Sequence, residues 1–461
     1  MALIIGLLAF LALIILLRTL SSKKVKFLYR NLSAIGLGAA FGLLIYHFMP
    51  ADIYAELKFY IKSVSGVYIR LLRLMIVPII FVSITTTLIH IGKENNLGKS
   101  IGQVLAYFIL SITGAALIAF ATSNAFDFGH LIDITKNTAE QSDSRIAERI
   151  SSIGDASLGK VIYGYTKNVP TSIFAAFAEN NILGTLIIAL MVGFATRRMY
   201  GKKPEKVQLV VDGLNAIKVI VNSITMTVIK LTPYGILALI SVAVADKGPA
   251  LFGDLAKFVG VSYLTMALIF VMHMVVKAAS GLNPINHIQN LLPAIVTGFS
   301  TQSSGATLPV TIKSLEERNG VDTETANITA SLGTTMGMNA CGAMWPVFMI
   351  VLGVGVTNAL AGTTVVDLFS VSSIVTMLLA VLVSSFGIAG LPGTASFAAI
   401  TAMTLMGLDP AVMGIVLTFV LSVDSLIDMG RTATNIFGVS SAATFVSRIN
   451  HRLNKETFSK K

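Results

Sequence analysis

Charge is scarce in this 461-residue sequence. Only 12% of its residues are Asp, Glu, Lys or Arg, roughly half the share usual in a soluble domain. A single cysteine, Cys341, excludes an intrachain disulfide. The six histidines are scattered and never fall at metal-ligand spacing. None lies near Ser303 or Ser304 in sequence, and no HExxH-type motif occurs, so neither a nucleophile–base pair nor a metal cluster marks a membrane enzyme. Acidic residues are scarcer than basic ones, giving a formal charge of +11. The surplus forms no nucleic-acid patch. It sits in short basic stretches at 18–30, 197–206 and 448–461, which the positive-inside rule turns toward the cytoplasm.

What the sequence has is apolar length. Hydrophobic residues make up 54% of it and the mean hydropathy is +0.79. Apolar segments at 2–18, 32–49, 66–90, 101–122, 168–199, 208–244 and 255–279 predict an all-α, multi-pass integral membrane protein. The first run has no cationic residue before it and no small-residue cleavage site, so residues 1–31 read as an extra amino-terminal membrane helix with a basic loop. With that loop inside, alternation leaves the amino terminus outside and the tail at 448–461 in the cytoplasm. The stretch 123–167, with Asp127, Asp133, Glu140, Asp143 and Glu148, predicts an external polar loop. Arg70 and Arg73 near the start of the 66–90 segment read as arginines reaching lipid headgroups.

Residues 255–447 carry the chemistry. The clusters from Ser300 to Pro309 and from Gly387 to Ser396 place Gly, Pro and Ser between apolar flanks, where a helix breaks. Each reads as a re-entrant helical hairpin. Between them, Gly333 to Gly342 predicts an interrupted helix exposing backbone carbonyls. Two hairpins, each followed by a polar, interrupted helix, are the pattern of an inverted-repeat transporter with a mid-membrane site. A channel would not need the final feature. At ~100° per residue, Asp424, Asp428, Arg431 and Asn435 fall within roughly 60° on one helix face. Each charge at mid-bilayer costs about 2.5–3.5 kcal/mol, so the stripe reads as a binding site for a zwitterion. An internally neutralised structural cluster is the alternative.

Several motifs together resemble the dicarboxylate/amino acid:cation symporter family, which includes the glutamate transporters. They are Arg70-Leu71-Leu72-Arg73 through Val77-Pro78-Ile79-Ile80-Phe81, Leu231-Thr232-Pro233-Tyr234-Gly235, Thr307-Leu308-Pro309-Val310-Thr311, Gly390-Leu391-Pro392-Gly393 and Asp428-Met429-Gly430-Arg431-Thr432. The resemblance covers about residues 32–450. Within the family the sequence is most similar to bacterial L-cystine uptake transporters, through its extra helix, its Ser300-Thr301-Gln302-Ser303-Ser304 tip and its Thr334-Thr335-Met336-Gly337-Met338-Asn339 segment.

The resemblance implies a homotrimer in the cell membrane. Its scaffold would be 32–90 and 168–244, and its mobile transport domain the helix at 101–122 with 255–447. That domain would move as an elevator, gated from outside by the second hairpin. By position, Arg431 would read a distal carboxylate and Asp428 an ammonium. Thr432, Asn435, Ser303 and Ser304 would meet the amino-acid moiety, beneath the second tip at Gly390, Pro392 and Gly393. Asp424 would orient Arg431 or act as a ligand. Asn339, Met338, Thr335 and Ser385 would support the site or the coupling ion, sodium or proton; no cofactor is implied. The expected activity is uptake of L-cystine or a related two-headed amino acid, with acidic amino acids or C4-dicarboxylates as the alternative.

The sequence departs from the family at the sodium-binding motif. Gly337 and Asn339 stand where the family has asparagine and aspartate, and Val439 aligns with a further sodium-binding aspartate. Phe108-Ile109-Leu110-Ser111-Ile112 replaces a Tyr-Leu-Leu-Thr-Ser contribution. Hard cations want oxygen ligands, so the expectation is coupling to fewer sodium ions or to protons, with Asp424 or Asp428 as the proton carrier. Backbone oxygens around 335–338 and 385–387 remain for one ion. Gln302 replaces an arginine of some relatives, leaving Arg431 as the pocket's cation.

Overall fold

A computed structural model describes residues 2–90, 98–132, 171–178, 182–385, 388 and 390–459. Most of the polar stretch assigned to an external loop, and Gly387 in the second hairpin, lie outside the described residues.

The described chain is helical, with no strand. Its first part comprises α1 (Ala2–Ser22), α2 (Phe27–Phe48), α3 (Ala51–Leu74), α4 (Ile76–His90), α5 (Gly98–Ala125), α6 (Ile173–Ala178), α7 (Ile182–Tyr200), α8 (Pro204–Ile229) and α9 (Thr232–Lys247). Its second part comprises α10 (Ala250–Ala279), α11 (Pro284–Thr301), α12 (Ser304–Glu317), α13 (Thr323–Met336), α14 (Trp345–Ala361), α15 (Val371–Ser385), α16 (Ala395–Leu405), α17 (Pro410–Leu421), α18 (Asp424–Ile449) and α19 (Lys455–Ser459). Among the described residues, seven helical stretches are long and apolar enough to cross a membrane. Large side chains such as Leu110, Leu209 and Val219 remain exposed on them, as expected of helices facing lipid.

One difference from the sequence reading lies at 51–74. The apolar segment begins at 66, but the helix begins at Ala51. Its first half is amphipathic, carrying Asp52, Glu56, Lys58 and Lys62 on a helix whose Leu57 and Ile61 are buried. Lys58 and Tyr54 both reach Asp246 on α9, at 2.7 and 2.6 Å. Arg70 therefore sits near the end of this helix, exposed.

Two sets of helices pack among themselves. In the first, α2 lies on α9, α4 on α7 and α8, and α3 on α9. Gly38 and Gly42 make the closest approach: a Cβ on either would stand within 2.9 Å of the carbonyl oxygens of Leu237 and Ser241 on α9. This is small-residue packing, which association in lipid favours. In the second set, α18 is the hub, packed against α5, α10, α11, α12 and α13. It is buried along most of its length, because small residues (Gly430, Ala433, Gly438, Ala442, Ala443) let neighbouring helices close in. A direct bridge between the sets is the buried Asn31 of α2, whose Nδ2 donates to Ser425 Oγ at 2.6 Å.

The breaks fall within the predicted segments, but in the first one the turn is at Gln302 and Ser303, while Gly305 and Pro309 lie inside a helix. Helices α11 and α12 form a hairpin whose turn is Gln302, at a left-handed φ of 56°, and Ser303. Helices α15 and α16 form the second. Helix α13 stops at Gly337, and a π-helical turn, Ala340–Met344, restarts the chain into α14. Between α17 and α18 the axis bends by 83°, which puts Asp424 at a helix start.

Candidate functional site

The stripe on α18 converges as its spacing requires. Arg431 Nη2 donates to Asp424 Oδ1 at 2.6 Å and to Asp428 Oδ1 at 2.9 Å. All three side chains are buried, Arg431 completely. Arg431 Cζ also stands 3.9 Å from the centroid of the Trp345 ring. The cluster is only partly closed on itself. Arg431 Nε and Nη1 have no hydrogen-bond partner among the described residues, and two carboxylates against one guanidinium leave a net negative charge. Buried donors of this kind attract a carboxylate, and the surplus negative charge attracts an ammonium.

Asn435 lies one turn further along α18. Its Oδ1 accepts from the backbone N–H groups of Ala340 and Cys341, at 2.8 and 3.2 Å. It thereby satisfies the restarting helix, while its Nδ2 has no partner among the described residues. Thr432 is buried on the same helix beside Gly298 of α11.

The two hairpin tips meet at the site. Ser303 caps α12, its Oγ accepting from Ala306 N at 3.1 Å and donating to Gly390 O at 2.7 Å. Gly305 N donates to the same carbonyl at 2.8 Å. Gly393, at φ 73°, donates its N–H to Asp428 Oδ2 at 3.0 Å. Pro392, between these contacts, is buried. The second tip is thus tied both to the first tip and to α18. Ser304, Thr334, Gly333, Asn435 and Val439 line an adjoining recess of about 10 Å³, room for one water. The tips are therefore closed on the protein's own groups.

The side chains expected to support an ion are turned to the protein's own groups. Thr335 Oγ1 and Ser385 Oγ donate back to Leu332 O and Leu382 O on their own helices. Met338 is buried, its carbonyl accepting from Gly342 N at 2.8 Å. Asn339 Oδ1 faces His273 Nε2 at 3.2 Å. Val439 fills the space over Gly333, where a Cβ would stand 2.3 Å from its Cγ1. The Phe108 ring covers Gly337 in the same way, at 2.7 Å. No group of three or more His, Cys, Asp or Glu that could hold a metal occurs among the described residues.

Residues 27–449 match the family model described as the sodium:dicarboxylate symporter family. The chain belongs to this family. It is similar to the L-cystine uptake protein TcyP of Bacillus anthracis, 30% identical over 439 residues, covering 95% of this chain and 92% of that protein. The TcyP of Bacillus licheniformis is 28% identical over 459 residues, covering 99% of this chain and 96% of its own length. This family member is a multi-pass transporter of the cell membrane and not an enzyme. Membership supports a small-molecule substrate of the amino-acid or dicarboxylate class, and ion coupling.

The tryptophan beside Arg431 had no place in the sequence reading. Its signal was its being the sole tryptophan in the chain, directly after the interrupted segment.

Proposed function

We propose that the chain is a secondary-active symporter that takes up L-cystine, or a related two-headed amino acid, across the cell membrane on a cation gradient. The observation that carries this reading is Arg431, buried against two carboxylates with two donor nitrogens unfilled. Cystine brings an ammonium and a carboxylate at each end. One ammonium meets Asp428, one carboxylate meets Arg431, and the near end takes Asn435, Thr432 and the first-tip residues Ser303 and Ser304. The names of the similar TcyP proteins favour the same substrate.

A ligand of this size enters only when the second tip swings away. That motion breaks the bonds from Ser303 and Gly305 to Gly390 and from Gly393 to Asp428. Neutral bonds are worth about 1 kcal/mol and those to a charged group about 1.5–3 kcal/mol, so opening costs a few kcal/mol and suits a gate. The preference of α2, α3, α4, α7, α8 and α9 for one another supports their role as a scaffold. The set around α18 would then be the moving transport domain, in a homotrimer. The family's description favours dicarboxylates or acidic amino acids as the second reading.

Competition decides the substrate. Uptake of radiolabelled cystine by reconstituted protein is measured against cystathionine, glutamate, aspartate, succinate and serine. Inhibition by cystathionine alone is expected; strong inhibition by succinate or glutamate moves the assignment to the second reading.

A further inference from the structure

Only four Asp, Glu, Lys or Arg side chains are buried among the described residues: Asp424, Asp428, Arg431 and Lys277. The first three form the cluster already described. Lys277, near the end of α10, is completely buried. No carboxylate pairs with it among the described residues. Its Nζ donates to Ser441 O at 2.6 Å and lies over the rings of Tyr107 and Phe445, at 5.6 and 5.5 Å from their centroids. Ser441 is ten residues beyond Arg431 on α18, about 15 Å along the axis, so Lys277 belongs to a different part of the core.

The titratable groups facing Lys277 are Tyr107 from α5, His273 on its own helix and His287 from α11. Each is already used as a neutral group. Asn339 Oδ1 can only accept, so His273 Nε2 carries the proton, and Nδ1 then accepts from the Tyr107 hydroxyl at 3.1 Å. Asn319 donates its amide to Thr444, which leaves its Oδ1 to accept from His287 Nδ1 at 3.2 Å. His287 Nε2 in turn accepts from Ser441 Oγ at 3.1 Å. Both imidazoles therefore have each nitrogen committed. Asp424 and Asp428 are committed to Arg431 and, through Asp428, to Gly393. Lys277 is the buried charged side chain with no opposite charge paired to it among the described residues.

We propose that Lys277 is the proton carrier of the transport cycle. This rests on the symporter reading. The neutral amine takes a proton from external water. The ammonium then crosses with the loaded transport domain and releases the proton to the cytoplasm. Protonated, the buried core holds two positive and two negative side chains and is neutral, so the domain crosses with a zwitterionic substrate at little electrostatic cost. Deprotonated, it keeps one negative charge, and a negative-inside potential drives its return. Asn339, held to His273, Val439 packed over Gly333, and Phe108 packed over Gly337 stand where the resemblance gives sodium ligands, which fits a cycle with its own tethered cation.

The test uses full-length protein in sodium-free liposomes with the membrane potential clamped, radiolabelled cystine and a pH dye trapped in the lumen. With one proton per cystine, a one-unit inward pH gradient sustains about tenfold accumulation, with luminal acidification. K277R, a fixed cation, is expected to keep cystine/cystine exchange at equal pH and to lose gradient-driven accumulation, whereas K277Q, fixed in the uncharged state, is expected to lose both. K277H, with a second titratable group in place, is expected to recover accumulation with its pH profile moved to the acid side. Wild-type accumulation without luminal acidification overturns the proposal. So does accumulation retained by K277Q, and so does loss of exchange in all three variants, which makes Lys277 a packing residue. If the wild type shows no cystine exchange, the cystine assignment falls instead. The acidification assay is then run with whichever acidic amino acid or dicarboxylate does exchange.

Discussion

Cζ of Arg431 lies 3.9 Å from the ring centroid of Trp345, the first residue of α14. The ring holds one side of a guanidinium that two aspartates hold from another. The break at 337–339 has a consequence here: a continuous helix would carry Trp345 along in a different phase, whereas the π-helical turn, pinned by Asn435, brings its ring to Arg431. A desolvated cation–π contact is worth about 2 kcal/mol. Trp345→Leu should therefore raise the apparent Km for the transported substrate roughly 30-fold, with Trp345→Phe in between. Initial uptake rates across a concentration series measure this, and an unchanged Km in the leucine variant removes Trp345 from the site.

Gly390 and Gly393 predict opposite sensitivities within one tip. A Cβ on Gly390 would stand 2.9 Å from Gly305 N and 3.1 Å from Thr334 O, both backbone atoms that cannot rotate away. Gly393 has open space around its Cβ position but a φ of 73°. An L side chain there costs about 1–2 kcal/mol. Gly390→Ala should hold the tips apart and reduce uptake by more than about tenfold, since the lost tip bonds are worth roughly 1 kcal/mol each. Gly393→Asn should be milder, because asparagine tolerates this region. Equal loss in both variants, at matched membrane abundance, contradicts the contact reading of the tip.

What was legible in the sequence was what helical period and helix-breaking residues dictate. Asp424, Asp428 and Arg431 share a face because three and seven residues are close to whole turns. Ser303 at the first tip and Gly337 mark real breaks, whereas Gly305 and Pro309 continue in a helix. Helix α3 begins before its apolar run because Lys58 and Lys62 interrupt that run, while the partner of Lys58, Asp246, lies on α9, far away in sequence. Lys277, His273 and His287 were also invisible as a group. They come from α10 and α11, and their common neighbours are Ser441, Tyr107 and Asn339. No local pattern encodes that convergence. Trp345 was missed for the same reason.

Asn31 and Ser425 give the last prediction. The Nδ2 of this buried α2 residue donates to Ser425 Oγ, while the Ser425 carbonyl accepts from Gln302 Nε2 of the first tip at 3.1 Å. Ser425 is thus held to the proposed transport domain by its backbone and to α2 by its side chain. If the set around α18 moves past the scaffold, the side-chain bond breaks in every cycle. It touches none of the groups that would hold substrate. Removing a bond worth about 1 kcal/mol should speed the movement roughly fivefold. Asn31→Ala and Ser425→Ala should each raise turnover with Km unchanged. The double variant should go no faster than either single one, because both remove the same bond. Rates that multiply in the double variant, or a Km that shifts with Asn31→Ala, would place this contact outside the moving boundary.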